Sequence, residues 1–270
     1  MGRELAALYP VARETFDEAD DALGYKLSQL CFEGPEDKLK LTEITQPAIL
    51  TTSVAFWRVL QSLGITASYA AGHSLGEYSA HVAAGTLSFQ DAVRTVRNRG
   101  KYMQEAVPVG VGAMAAILAL AIDKVLAVCE EAAQGEVCQA ANLNSPDQTV
   151  ISGSTAAVQR AAELAKKAGA KRAILLPVSA PFHCALMQPA QDRLAADLAR
   201  VTFRDPHRQV TLVSGRTELV CYLPDHPKLR TGNSLRLKDH EDPERWWAVK
   251  SVSGFVREKS SIKTTWSNNI

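Results

Sequence analysis

Tyr69-Ala70-Ala71-Gly72-His73-Ser74-Leu75-Gly76-Glu77-Tyr78-Ser79-Ala80 sets the pattern Gly-x-Ser-x-Gly between a short apolar run and a segment of helical composition. The pattern predicts a strand, a sharp turn and a helix, with Ser74 at the apex. Chemistry explains the spacing. A serine between strand and helix exposes its hydroxyl only on a tight, strained turn. Glycines two residues to either side let the backbone approach itself without Cβ clashes. The N–H groups at the head of the helix then face the site. The Leu75 N–H is placed to stabilise an oxyanion formed on attack by Ser74. A plain strand–helix turn with a capping serine would use the same residues.

Outward from the turn, the first hundred residues read as helices around that one strand. Residues 6–22 carry Leu8, Val11, Ala12, Thr15, Phe16 and Ala19 near helical spacing. Gln46-Pro47 opens a second helix, with proline near its first turn, and Gly64 stops it. A third helix runs over 75–84 and is closed by Gly85. Ser88 caps a fourth, with Asp91 three residues on, and this helix is expected to end at Gly100. Arg99 lies in its last turn and, from the residues alone, is a surface arginine.

The character of the chain changes near residue 108. Residues 114–120, 137–143, 148–152 and 172–178 read as strands, and 123–133 and 154–168 as helices. Asn144-Ser145-Pro146-Asp147 is a turn between two of the strands. The order strand-helix-strand-strand-helix-strand is the split βαβ pattern of a ferredoxin-like unit. It predicts a small domain over 109–178 inserted in a larger one made of 1–108 and 179–214. A helix over 189–201 returns to the larger domain. Beyond residue 214 the hydrophobic share falls from about a half to about a third, and no clean period emerges. Residues 215–270 are therefore set apart as an atypical tail.

Composition narrows the function classes. A chain of 270 residues with a net charge of +1 and few aromatics offers neither a broad basic face nor a stacking platform for nucleic acid. No apolar run reaches the roughly 18–20 residues that span a bilayer, and the N-terminus has no signal-peptide pattern. A cytoplasmic monomer is the expectation, with no membrane or nucleic-acid partner. The five cysteines lack metal-type spacing, so neither a zinc site nor a disulfide framework is expected. Cys184 beside His183 is set aside as a nucleophile, because sequence neighbours rarely face each other.

A serine nucleophile needs a base. Of the six histidines, His183 in Ser179-Ala180-Pro181-Phe182-His183-Cys184 is the best placed, just after a predicted strand and with Pro181 restraining its backbone. An ordinary hydrogen-bonded loop histidine is the competing reading. His73 adjoins Ser74, so its side chain points elsewhere in the elbow and lines the pocket. His81 is structural or exposed. His207, His226 and His240 fall in or near polar, irregular segments.

Four segments together resemble the malonyl-CoA:acyl carrier protein transacylases. They are 72–80 around Ser74, 98–108 around Arg99, Ala141-Asn142-Leu143-Asn144-Ser145-Pro146 within 141–153, and 179–187 around His183. The resemblance covers roughly residues 1–214. It implies an α/β-hydrolase-like large domain with an inserted ferredoxin-like small domain. It also implies transfer of a malonyl group from malonyl-CoA to the phosphopantetheine thiol of acyl carrier protein for fatty acid synthesis, with no cofactor and no metal. In such an enzyme Ser74 carries the malonyl group and His183 acts as base and then as acid, without an acidic third member. Arg99 clamps the malonyl carboxylate. Leu75 serves the oxyanion, His73 and Asn142 support the site, and Phe182 fits a malonyl rather than a branched unit.

Two departures from the family pattern are noted. The chain starts where the family's Gly-Gln-Gly-Ser-Gln loop would just have ended, so its first strand and the second oxyanion donor are expected to be missing. Loss of one such donor costs about 10²–10³ in turnover. The tail lacks the family's closing strand and Val-Gly-Pro-Gly turn, which suggests a frame change or truncation. Competing readings are an acyltransferase of polyketide synthesis, a serine esterase with the same elbow, and an inactive fragment.

Overall fold

The computed structural model describes residues 1–204 apart from Ser68, together with the strand residues 211–214, 220–221, 256–258 and 261–263. Most of the tail, with its His226 and His240, lies outside the described residues, as does His207 ahead of it. The helices are α1 (Arg3–Leu8), α2 (Pro10–Leu23), α3 (Leu27–Glu33), α4 (Glu36–Leu39), α5 (Thr42–Ser62), α6 (Gly76–Ala83), α7 (Phe89–Ala106), α8 (Ile122–Ala133), α9 (Thr155–Lys167) and α10 (Gln188–Leu198). The strands are β1 (Tyr69–Gly72), β2 (Gly112–Leu118), β3 (Cys138–Ser145), β4 (Gln148–Ser154), β5 (Arg172–Leu175), β6 (Thr211–Ser214), β7 (Val220–Cys221), β8 (Val256–Glu258) and β9 (Ser261–Lys263). The chain is mixed α/β and divides into two compact units, one formed by Met1–Asn98 with Asp197–Trp266, the other by Arg99–Ala196 with Ser267–Ile270. Among the described residues no helix is long and apolar enough to cross a membrane.

In the first unit, the expected helix over 6–22 is two helices. Tyr9 is extended at φ −126° and ψ 116° because it precedes Pro10, and α2 starts at that proline. Ala12, Phe16 and Ala19 then bury one face at helical spacing, and Gly24 closes the helix at φ 73°. Arg58 on α5 reaches back to Glu18 at 2.7 Å and to Thr15 at 3.1 Å, tying α5 to α2. Helix α5 begins at Thr42, ahead of the expected Gln46-Pro47 start. The Leu41 carbonyl accepts from both Ile44 and Thr45 at 2.8 Å, so the turn closes before the proline. Pro47 then lies inside the helix.

Strand β1 pairs in parallel with β6, Tyr69 opposite Thr211 through Gly72 opposite Ser214, and β6 pairs antiparallel with β7. Helix α6 lies close on β1 because the contact is made of alanines: Ala70, Ala80 and Ala84 are buried together. Ser88 caps α7 as expected: its hydroxyl donates to Asp91 Oδ2 at 2.6 Å and accepts the Asp91 N–H at 3.1 Å. The helix continues past Gly100 to Ala106. A mid-helix glycine costs only about 1 kcal/mol relative to alanine. Met103 and Val107 are buried beyond it, which supplies the packing that carries the helix through.

His81 is a structural residue of this unit. It is buried, its Nδ1 lies 2.7 Å from Thr86 Oγ1, and its ring meets Phe203 edge-on at 5.9 Å. Burial lowers its pKa to about 4.

The second unit holds a four-stranded antiparallel sheet in the order β3-β4-β2-β5. Helices α8 and α9 pack on it. Ala115 and Ile117 of β2 and Ile151 of β4 share a core with Val125 and Val128 of α8 and with Val158, Ala161 and Ala165 of α9. The alternate residues Met114 and Ala116 share a second cluster with Ala141, Val150, Leu176 and Phe182. Both faces of β2 are thus covered, which is why this strand reads as an unbroken apolar run rather than an alternating one.

The buried His81 generates a prediction. Its folded pKa lies below the unfolded value near 6.5, so the unfolded chain takes up the proton first. The neutral ring's contribution is complete above about pH 6.5 and is lost as the pH falls towards 4. Urea midpoints compared with those of His81→Gln should show an excess loss of roughly 3 kcal/mol over that window. Parallel profiles for the two proteins would contradict the assignment.

Candidate active site

The Gly72–Gly76 turn is set by a backbone crossing. A Cβ on Gly72 would fall 1.8 Å from the carbonyl carbon of Gly76 and 2.1 Å from the Glu77 nitrogen. No side chain fits there. Gly76 differs: nothing lies within 4 Å of its own missing Cβ. The first glycine is therefore required by the approach, whereas the second supplies the backbone that is approached. The expectation that both glycines relieve clashes holds for Gly72 alone.

Between them Ser74 sits at φ 52°, one of four non-glycine residues with positive φ among those described. That conformation costs about 1–2 kcal/mol and persists only where neighbours over-determine it. Here the Gly76, Glu77 and Tyr78 N–H groups turn back onto the His73, Ser74 and Leu75 carbonyls at 2.9, 3.2 and 3.1 Å. Ser74 is half-buried, His73 exposed and Leu75 buried at the head of α6. These three candidates form one cluster in the first unit.

The other four candidates belong to the second unit. His183 also has positive φ, 60°, and is 7% exposed. Its loop is braced from several sides. The Pro181 ring occupies the space above Gly112, where a Cβ would lie 2.2 Å from the proline Cγ. Gln104 Nε2 of α7 donates to the Ser179 carbonyl at 3.3 Å, and the Ala185 N–H donates to Gln139 Oε1 of β3 at 2.8 Å. Phe182 packs, half-buried, on the sheet face formed by Met114, Ala116, Ala141 and Val150. Cys184 is buried and its thiol faces the Pro181 carbonyl at 3.2 Å.

Arg99 is 2% exposed, so the surface-arginine alternative fails. A buried guanidinium is retained where it meets charge or hydrogen-bond acceptors. Its helix is fastened to the rest of the unit: Arg193 of α10 bonds Glu105 at 2.5 Å and stacks over the Tyr102 ring at 3.9 Å. Asn142 is half-buried on β3, opposite Val150 and directly after a register shift that leaves Ala141 bulged. Bulges re-aim side chains, which suits a residue at a site. Among the described residues no group of three or more His, Cys, Asp or Glu is arranged to hold a metal ion. A concavity of about 400 Å³ lined by Glu14, Asp17, Glu18, Asp21 and Arg94 contains none of the candidates.

Comparison with known proteins places this geometry. The acyl transferase domain family matches residues 1–218. The malonyl CoA-acyl carrier protein transacylase of Escherichia coli (strain K12) is 56% identical over 207 residues, covering 76% of this chain and 67% of the relative. The solved malonyl CoA-acyl carrier protein transacylase from Coxiella burnetii aligns with a TM-score of 0.76 at 51% identity, covering 79% of this chain and 68% of that one. A malonyl-transacylase solved in complex with its type II PKS acyl-carrier protein gives a TM-score of 0.76 at 51% identity, over 79% of this chain and 69% of that one. The chain belongs to the malonyl-CoA:acyl carrier protein transacylase family.

The chain spans about two thirds of the length of these relatives. All seven candidates lie within the matched span. The residues that brace the histidine loop are not visible in the sequence pattern. Gln104 and Gln139 are ordinary polar positions on a helix and a strand, and only the fold shows what they touch.

The elbow yields a paired prediction. Gly72→Ala should destabilise the chain by about 3 kcal/mol or more, since the Gly76 backbone cannot yield. Gly76→Ala should be neutral or stabilising by up to about 1 kcal/mol, because its Cβ enters open space at a helix start. Thermal melts of the two variants check this; equal losses would contradict the one-sided crossing.

Proposed function

We propose that the chain transfers a malonyl group from malonyl-CoA to the phosphopantetheine thiol of acyl carrier protein, in fatty acid synthesis, through a malonyl ester on Ser74. The observation that carries the reading is the strained Ser74 at φ 52° on the Gly72–Gly76 crossing, in a chain of this family.

The reaction is a two-step thioester exchange. His183 takes the Ser74 hydroxyl proton as Oγ attacks the malonyl carbonyl carbon. The Leu75 N–H stabilises the oxyanion. The carbon–sulfur bond breaks, and His183 returns the proton to the departing coenzyme A thiolate. The carrier thiol then gives its proton to His183 and attacks the ester. Ser74 leaves and recovers a proton. The chemistry requires no redox partner, cofactor or metal.

Arg99 accounts for selectivity in this reading. In this reading it forms a bidentate pair with the malonyl carboxylate, and an acetyl group cannot supply that pair. His73 and Asn142 line and support the acyl pocket, and Phe182 limits it to an unbranched unit. The architecture we infer is an α/β-hydrolase-like large domain over 1–108 and 179–214, with a ferredoxin-like small domain over 109–178. The strand order β3-β4-β2-β5 with two helices supports the latter. The protein acts as a cytoplasmic monomer.

A second reading concerns the carrier. One similar solved protein is a malonyl-transacylase bound to a type II PKS acyl-carrier protein, so a polyketide carrier would use the same chemistry. Transfer assays with each purified holo-carrier separate the two.

Steady-state transfer from malonyl-CoA to holo-acyl carrier protein tests the function. Ser74→Ala should reduce kcat by at least about 10⁴, as loss of a covalent nucleophile does. Arg99→Ala should lower malonyl kcat/KM by about 10²-fold or more and leave acetyl transfer little changed. Retained malonyl preference in Arg99→Ala would favour an esterase-like site without a carboxylate clamp.

A further inference from the structure

His183 keeps a left-handed backbone, which a non-glycine residue holds only when the chain is fixed on both sides of it. Contacts inside the loop shape it without fastening it. The Phe182 N–H meets the Ala180 carbonyl at 3.1 Å, and the Cys184 thiol meets the Pro181 carbonyl at 3.2 Å. Immediately after the histidine the chain turns through Ala185–Met187, whose hydrogen bond from Met187 N–H to the Cys184 carbonyl is also local.

Beside the packing of Pro181 on Gly112 and of Phe182 on the sheet, two glutamines fasten the loop by hydrogen bonds at opposite ends. Gln104, five residues after Arg99 on α7, holds the Ser179 carbonyl at 3.3 Å, and Gln139 on the edge strand β3 holds the Ala185 N–H at 2.8 Å. Both are amide side chains bonding backbone, so neither adds charge near the histidine. The two bonds sit four residues before His183 and two residues after it.

We propose that Gln139, with Gln104 at the opposite end, is a positioning residue for His183 that acts by fixing the backbone of loop 179–185. The proposal rests on the reading of His183 as the base. Gln139 touches no reacting atom. Its effect is on the fraction of molecules in which the imidazole is correctly aimed, so it changes kcat and leaves malonyl-CoA binding alone.

The test compares Gln139→Met, which keeps length and loses the acceptor, with Gln139→Glu, which keeps the acceptor. Gln139 is exposed on an edge strand, so both variants should melt with the parent protein. Gln139→Met should lower kcat roughly fivefold, the factor matching one net hydrogen bond, with KM for malonyl-CoA unchanged. It should also speed amide hydrogen exchange in the 179–187 peptide. Gln139→Glu should stay near the parent in both. Gln104→Met, at the other end, should reproduce the pattern of Gln139→Met. Unchanged exchange in Gln139→Met overturns the proposal, and so does equal slowing in Gln139→Met and Gln139→Glu. If the folded parent transfers no malonyl group, the reading of the site fails, and the exchange data alone decide whether the glutamines fix the loop.

Discussion

The approach of the Gly72 backbone to Gly76 is the constraint on which the site depends. A Cβ at 1.8 Å from a carbonyl carbon cannot be relieved by rotating a side chain. The crossing fixes where β1 ends and α6 begins. It leaves Ser74 the only residue at the apex, in a conformation serine adopts at a cost. That cost is met by packing elsewhere in the unit. Ala70, Ala80 and Ala84 let α6 lie close on β1, and the parallel pairing of β1 with β6 holds the strand. A larger residue at any of these alanines would push the helix away and relax the turn.

The same device recurs at His183. Two of the four described non-glycine residues with positive φ are the serine and the histidine assigned to the chemistry. Each is held by its surroundings rather than by its own preference. For Ser74 the restraint is local and lies in the glycine spacing. For His183 it is long-range: Pro181 over Gly112, Ser179 on Gln104 and Ala185 on Gln139. Phe182 covers one face of the antiparallel sheet while α8 and α9 cover the other, so the histidine loop is part of the sheet's packing.

This difference explains what could be read from the sequence. The elbow was legible because its constraint lies within five residues. The order of strands and helices from 112 to 175 was legible because turn residues bound each element, and because β2 stands out as an apolar run and α9 as an alanine-rich helical pattern. Helix limits were read less well where tertiary packing overrode local preference. Gly100 does not stop α7, since Met103 and Val107 are buried beyond it. Pro47 does not start α5, since the Leu41 carbonyl closes an earlier turn. Arg99 looked like a surface residue on its own helix, and its burial comes from a fold that a single-helix pattern does not encode. The resemblance to the transacylases supplied Arg99 and Asn142 as candidates; spacing alone would not have.

The central claim is that Ser74 carries the acyl group. The most direct measurement is peptide mass mapping of the chain after incubation with malonyl-CoA in the absence of carrier protein. The account predicts one malonyl adduct per chain, on the peptide containing Ser74, discharged when holo-acyl carrier protein is added. An adduct on another residue, or a folded chain that takes up no malonyl group, would contradict it.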